Sequence, residues 1–299
     1  MTMNTRIAVT NRTICYELYK QAGLASAEDT SLTCLSRQIC ALLNNDSYDK
    51  ILIREKDLSE EEYHTFIAGI FSAQHSYPSA ANLTSNIIVH NFPAIAEAFG
   101  TDLHLPFSVF TDLLGHSGYS VQNNFLSDRH ALTHGTSVVT SGNALTYGTS
   151  VATSGNALTH STPVATSENA LTHGTSVVSS YNGLTRGNTI VSVATPSKSF
   201  REKYPHIQRI GTSIHSVEDA VFAESHGADY ITAGHIFTTD CKKGLPGRGV
   251  DWLKSICNAV SIPVYAIGGI SDANVSMLSD CNIDGYCMMS ASMKPILSE

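Results

Sequence analysis

His215 closes the apolar run that begins at Gln208 and leads directly into Ser216-Val-Glu-Asp219, which has the form of a helix cap. An imidazole titrates near neutrality, so a histidine at such a junction suits proton transfer to or from carbon. His90, His104 and His235 stand within or at the ends of similar runs. A lone histidine is more often structural, but several at strand ends are harder to set aside, and His215 is the best placed. Cations form a second group: Arg54 and Lys56 follow Lys50-Ile-Leu-Ile53, while Lys242, Lys243 and Arg248 follow Asp229 to Phe237. The ordinary reading of a lysine pair is solvated surface, yet four or five cations converging on one face of an acidic protein favour an anionic substrate. Gly268-Gly269 and Ser290-Ala-Ser292 form a third group. Glycines let backbone N–H groups approach an anion closely, and loops of this kind in consecutive positions suit a phosphate.

Groups so far apart in sequence need a scaffold that returns them to one rim. Strand signals fall at Ile7–Thr10, Lys50–Arg54, Asn86–His90, Asp102–Pro106, Gln208–His215, Asp229–Phe237, Pro263–Ile270 and Gly285–Ala291. Helix signals lie between them: Leu32–Leu43, a capping box at Ser59-Glu-Glu-Glu62 opening a helix to about Gln74, Pro93–Phe99, Ser197–Tyr204, a helix capped by Ser216, Trp252–Val260, and one marked by Val275, Met277 and Leu278. Strands alternating with helices imply parallel pairing and right-handed crossovers. Eight such units give an α/β fold, a (β/α)8 TIM barrel, whose chemistry sits at the C-terminal ends of the strands. Only Ser292 to Glu299 follow the eighth strand, so the last helix reads as shortened. Uncovered apolar surface there costs several kcal/mol at about 25 cal/mol per Å2, and a homo-oligomer is one way to cover it.

The barrel pattern stops at residue 129 and resumes at 195. Residues 130–194 are five tandem units of thirteen residues, rich in Ser, Thr and Gly, with Leu and paired Val as their apolar content. The organisation is thus an N-terminal half-barrel (1–129), a repeat insertion (130–194) and a C-terminal half-barrel (195–299). The favoured reading of the repeat is a flexible low-complexity expansion that buries too little surface to offset its ordering entropy. A stacked solenoid is the other arrangement such a period allows. The in-register His134, His160 and His173 make no metal site, with no Cys and few acids beside them. If the helix after strand four is Ser197–Tyr204, the insertion leaves from the catalytic face; if it is Ser108–Leu114, from the opposite one. The short spacing from Ser197–Pro205 to strand five favours the first.

Composition narrows the partners. The chain has 299 residues, 42% hydrophobic, with a net charge of −8 and only 18 Lys and Arg, which argues against nucleic acid. No segment approaches the roughly 18 continuous apolar residues of a membrane span, and the N-terminus reads as lacking a signal peptide. Seven cysteines without a CxxC pair fit reduced thiols in a cytoplasm better than a disulfide framework. Asn11-Arg-Thr and Asn82-Leu-Thr match the glycosylation pattern, which means little without secretion.

Taken together, Ser213-Ile-His-Ser-Val-Glu-Asp-Ala220, Gly234-His-Ile-Phe-Thr-Thr-Asp-Cys-Lys-Lys-Gly244, Gly247-Arg-Gly-Val250 and Ala266-Ile-Gly-Gly-Ile270 resemble the thiamin phosphate synthase/TenI superfamily, and more narrowly its TenI-type thiazole tautomerases. The match is densest over Gly211 to Ser292 and weaker over Ile7 to Pro106. Thiamin phosphate synthases carry a Gln where this chain has Leu52, an Asn-Asp pair where it has His90-Asn91, and a second metal-binding Asp where it has Val109. A Mg2+ holding a pyrophosphate wants carboxylates, and their absence argues against pyrophosphate displacement. The resemblance implies an isomerase that aromatises a carboxythiazole ethyl phosphate by a proton shift, with no metal or other cofactor. It assigns His215 to proton transfer, Gly268, Gly269, Ser290 and Ala291 to the phosphate, and Arg54, Lys56 and Lys242 to the substrate's anionic groups. The synthase itself, or a non-catalytic barrel that binds a phosphorylated ligand for regulation, are the alternatives.

Overall fold

The computed structural model describes residues 5–45, 47–73, 83–114, 197–239, 242 and 244–296, together with the backbone of the strand segments inside the repeat. The chain divides into two compact units, residues 1–119 with 196–299, and residues 120–195.

In the first unit, eight strands close into an all-parallel barrel: Thr5–Val9, Lys50–Ile53, Ile87–His90, Asp102–Leu105, Ile210–Ile214, Tyr230–Gly234, Val264–Ile267 and Gly285–Met288. They are numbered one to eight below. Strand one pairs with strand eight (Thr5↔Gly285) and with strand two (Ile7↔Lys50), which seals the ring. Strands buried on both faces read as continuous apolar runs, and these do: Ile51, Leu52 and Ile53 are all buried, as are Ile87, Ile88 and Val89. Alternate residues divide between two cores. Ile7, Val9, Leu52, Ile88, Tyr230, Tyr265 and Cys287 fill the barrel, while a larger cluster packs the strands against the helices. Close packing fixes two glycines. A Cβ on Gly211 would meet the Tyr230 ring at 2.1 Å, and one on Gly285 would meet the Thr5 carbonyl oxygen at 2.0 Å.

Helices cover the outside at Arg12–Gln21, Ser31–Leu43, Glu60–Ser72, Leu83–Asn86, Pro93–Phe99, Phe107–Leu114, Ser197–Lys203, Val217–Ser225 and Val250–Ala259, with a 3-10 turn at Val275–Leu278. Their starts follow capping chemistry. Ser59 Oγ accepts from the Glu62 N–H at 3.2 Å while the Glu62 carboxylate accepts from the Ser59 N–H at 2.8 Å. The helix Arg12–Gln21 has no counterpart in the sequence reading. Its N-cap is Asn11, whose side chain accepts from the Ile14 N–H at 3.0 Å, so this residue of an apparent glycosylation signal is a helix cap. Asn82 lies outside the described residues. Strands five to eight are shorter than the apolar runs suggest. Strand seven stops at Ile267 because Gly268 and Gly269 take positive φ (99° and 70°), which no extended strand accommodates. Both segments weighed as the helix after strand four are helical, and the repeat lies between them in the chain.

In the second unit, each of the first four thirteen-residue repeats contributes two strands, one to each of two parallel ladders, and the fifth contributes one among the described residues. One sheet runs through Ala131–His134, Ala144–Tyr147, Ala157–His160, Ala170–His173 and Leu184–Arg186; another runs through Ser137–Val139, Ser150–Ala152, Val164–Ala165 and Val177–Val178. Equivalent residues pair: Leu132↔Leu145, Leu145↔Leu158, Leu158↔Leu171 and Leu171↔Leu184. Among the described residues no helix is long and apolar enough to cross a membrane.

Candidate functional site at the barrel mouth

The interior of the barrel changes character from one end to the other. At the N-terminal end Asp102, 1% exposed, accepts from Lys50 Nζ at 2.9 Å and from Arg209 Nη2 and Nε at 2.8 and 3.1 Å. Arg209 also lies over the Tyr230 ring, 5.2 Å from its centroid. In the next layer His104 is wedged among polar neighbours: its Nδ1 is 3.3 Å from Tyr230 Oη and its Nε2 is 2.9 Å from Ser213 Oγ, which also accepts from Thr232. The His90 ring stacks on His104 with centroids 6.3 Å apart. Burial pushes both imidazoles down to about 3, helped for His90 by Arg54 and Lys56 and for His104 by His90 and Arg54. Both histidines are therefore neutral at physiological pH.

His215 sits one residue beyond strand five. Its N–H donates to Asp219 Oδ2 at 2.9 Å, and the Asp219 N–H donates to Ser216 Oγ at 3.0 Å, so the cap of helix Val217–Ser225 also fixes the histidine's backbone. The residue is exposed to solvent. Partial burial lowers its pKa, as do Lys242 and Arg248, against the Gly234 carbonyl and Asp219. Its Nδ1 lies 3.4 Å from the Gly234 carbonyl oxygen. A carbonyl only accepts, so this contact places the proton on Nδ1 and leaves the Nε2 lone pair as the basic site.

The cations come together at the same end. Lys56 has its pKa lowered by burial and then by Arg54 and Lys242. Lys242 also bears on His215, so one charge links the loop after strand two to the end of strand five. Glu55, between Arg54 and Lys56, does not join them. It is buried, accepting from Thr10 Oγ1 at 2.6 Å and from the Arg12 N–H at 3.2 Å.

Gly268 and Gly269 follow strand seven and lie directly against the loop after strand six. A Cβ on Gly268 would meet His235 Cβ at 2.4 Å, and one on Gly269 would meet the Thr238 carbonyl oxygen at 2.5 Å. The Phe237 N–H donates to the Gly268 carbonyl at 2.9 Å. His235 is buried, and its ring nitrogens have no hydrogen-bond partner among the described residues. Ser290 and Ala291 share the rim but are held by other contacts. They lie in a turn closed by the Met293 N–H donating to the Met289 carbonyl at 3.2 Å, and buried Ser292 points its hydroxyl at the Met288 and Met289 carbonyls at 2.8 and 2.9 Å. Lys243 and Cys241 lie outside the described residues. Sequence reasoning did not foresee the His104–Ser213–Thr232 network or the Asp219 clamp, because neither follows from spacing along the chain.

A divalent cation does not fit these residues. Asn91 offers only a neutral amide oxygen, buried and without a hydrogen-bond partner among the described residues, on a left-handed backbone (φ 67°). Arg54 and Lys56 bear on the adjacent His90. Among the described residues no group of three or more His, Cys, Asp or Glu side chains is arranged to hold a metal.

Comparison with known proteins finds similarity in the C-terminal third of the chain. Residues 192–292 match the family model described as thiamine monophosphate synthase. Relatives named thiamine-phosphate synthase are 46% identical over 81 residues (Clostridium tetani) and 44% identical over 98 residues (Pyrococcus horikoshii). These matches cover 27% and 33% of this chain and 39% and 47% of the relatives, so the chain spans less than half the length of either. A solved thiamine phosphate pyrophosphorylase from Pyrococcus furiosus aligns with 97% of this chain and 88% of its own, at 18% identity and a TM-score of 0.49. The relatives' names favour the synthase, which the sequence reading had placed second. Strands five to eight and the loops that close the mouth on that side all fall within residues 192–292, the segment that is similar to the thiamine monophosphate synthase family.

Proposed function

We propose that the barrel is an isomerase of the thiazole tautomerase type, acting on a phosphorylated carboxythiazole in thiamin biosynthesis. The observation that carries this reading is a neutral His215, with its Nε2 lone pair available, beside a cluster of cations in a mouth whose residues do not fit a divalent cation. In the reaction Nε2 takes a proton from an sp3 ring carbon, the electron pair moves into the conjugated system, and a proton returns at a second carbon to leave an aromatic ring. No electrons are gained or lost, so the balance calls for no redox partner. The lowered pKa keeps His215 in its basic form at neutral pH. Arg54, Lys56 and Lys242 meet the carboxylate and phosphate charges, while Gly268, Gly269, Ser290 and Ala291 surround the phosphate.

The names of the relatives support a second reading, thiamin phosphate synthase, and one set of assays separates the two. Purified protein is given the non-aromatic thiazole phosphate, and in parallel the aromatic thiazole phosphate with a pyrimidine pyrophosphate and Mg2+. The proposal expects aromatisation in the first, falling roughly 10²–10⁴-fold in His215→Ala. Pyrophosphate release in the second would replace it with the synthase. Phosphate binding with turnover in neither assay would leave a regulatory, non-catalytic barrel.

A further inference from the structure

The turn after strand eight, which carries Ser290 and Ala291, is braced by packing over only part of its surface. Beside it lies a groove of about 340 Å3, whose lining includes Gln38, Leu42, Ala291, Ser292, Lys294 and Ile296. Where atoms are missing from one side, dispersion contacts do not fix position, and hydrogen bonds must. Gln38, on the helix Ser31–Leu43, supplies them. Its side chain is fully buried, and its amide nitrogen donates to the Ser292 carbonyl at 2.7 Å and to the Lys294 carbonyl at 2.8 Å. Its amide oxygen accepts from Tyr19 Oη at 3.1 Å. The opposite amide orientation is excluded, since it would set an oxygen against two carbonyl oxygens. Both amide hydrogens are thus committed to one short segment, 254 and 256 residues away in sequence.

We propose that Gln38 is a positioning residue for phosphate recognition. By holding the Ser292 and Lys294 carbonyls it sets the turn that presents Ser290 and Ala291 to the ligand, without touching the ligand itself. This rests on the reading above that Ser290 and Ala291 belong to the phosphate grip. Gln38→Leu keeps much of the volume and removes both donors, leaving two carbonyl oxygens short of a partner.

The test is calorimetric titration with inorganic phosphate, together with steady-state kinetics on the non-aromatic thiazole phosphate. The expected result is phosphate affinity lower by roughly tenfold in Gln38→Leu, the scale on which supporting partners of a site act. KM should rise by a similar factor, with kcat within about twofold of wild type. Tyr19→Phe, which leaves both donors in place, should bind phosphate like wild type. If Gln38→Leu does not fold, Gln38→Asn, with the same donors one methylene short, carries the same expectation. A folded variant that binds phosphate as tightly as wild type overturns the role of Gln38 and leaves the phosphate grip intact. A fall in kcat with KM unchanged also overturns it, because that pattern marks general loosening. Wild type that binds no phosphate removes the phosphate grip, and the proposal with it.

Discussion

The two ends of the barrel interior are both built with cations, but they are balanced differently. At the N-terminal end Lys50 and Arg209 both pair with Asp102. Burial alone would lower the pKa of Arg209, yet its bonds to Asp102 carry it upward. At the mouth, the charges that bear on Lys56 and on His90 are all positive. A buried cation with its own carboxylate holds the fold together; cations that repel one another at a strand-end rim fit an anion from outside. Similar residue types are thus paired with a carboxylate at one end and gathered with other cations at the other, where the proposed function gives them an anion to bind.

The comparison breaks most visibly if its structural half is wrong. Asp102→Ala strands two cations at the floor and should cost about 3–5 kcal/mol in urea unfolding. Lys56→Ala should stay within about 0.5 kcal/mol of wild type. Equal losses in the two variants would mean that the mouth cations are structural too.

The layer between the ends gives a smaller effect, visible in pH. His90 and His104 titrate near 3 in the folded barrel, against an ordinary 6.5 in the unfolded chain. Between those values the unfolded chain binds more protons, so the stability they contribute is complete above about pH 6.5 and is lost as pH falls towards 3. By pH 5 the loss amounts to about 2 kcal/mol per histidine. Urea midpoints at pH 8 and pH 5 should converge by about that much in His104→Gln relative to wild type. An unchanged slope would show that the interior histidine is protonated in the folded state. The smallest effect belongs to Lys242, whose charge helps to hold down the pKa of His215. In Lys242→Ala the acidic limb of the kcat/KM profile for aromatisation should move to higher pH. A limb that stays in place would separate Lys242 from the proton-transfer group.

Most of the barrel was legible because parallel strands buried on both sides leave continuous apolar runs, as at Lys50–Ile53 and Ile87–His90. Ser59 and Ser216 announced their helices through side-chain chemistry that acts within three residues. Arg12–Gln21 was not legible. Its buried residues are Cys15 and Tyr19, neither a strong apolar marker, Ile14 and Leu18 pack only partly buried, and its cap lay in a tripeptide that also spells a glycosylation signal. The rim residues were readable because a strand end is a local feature. The partners that orient them were not: Asp102 looked like any strand residue, and Gln38 meets Ser292 only once the ring has closed.

The repeat has a consequence for how the gene can vary. Because equivalent residues of successive units pair with one another, as Leu132, Leu145, Leu158, Leu171 and Leu184 do, the ladder is counted in steps of thirteen. Removing or duplicating one whole unit takes away or adds a rung and leaves the remaining pairs in phase. A deletion of twelve or fourteen residues leaves one unit of irregular length and puts a mismatch into the ladder at that rung. Unit number is therefore open to change by recombination between copies, whereas unit length is not.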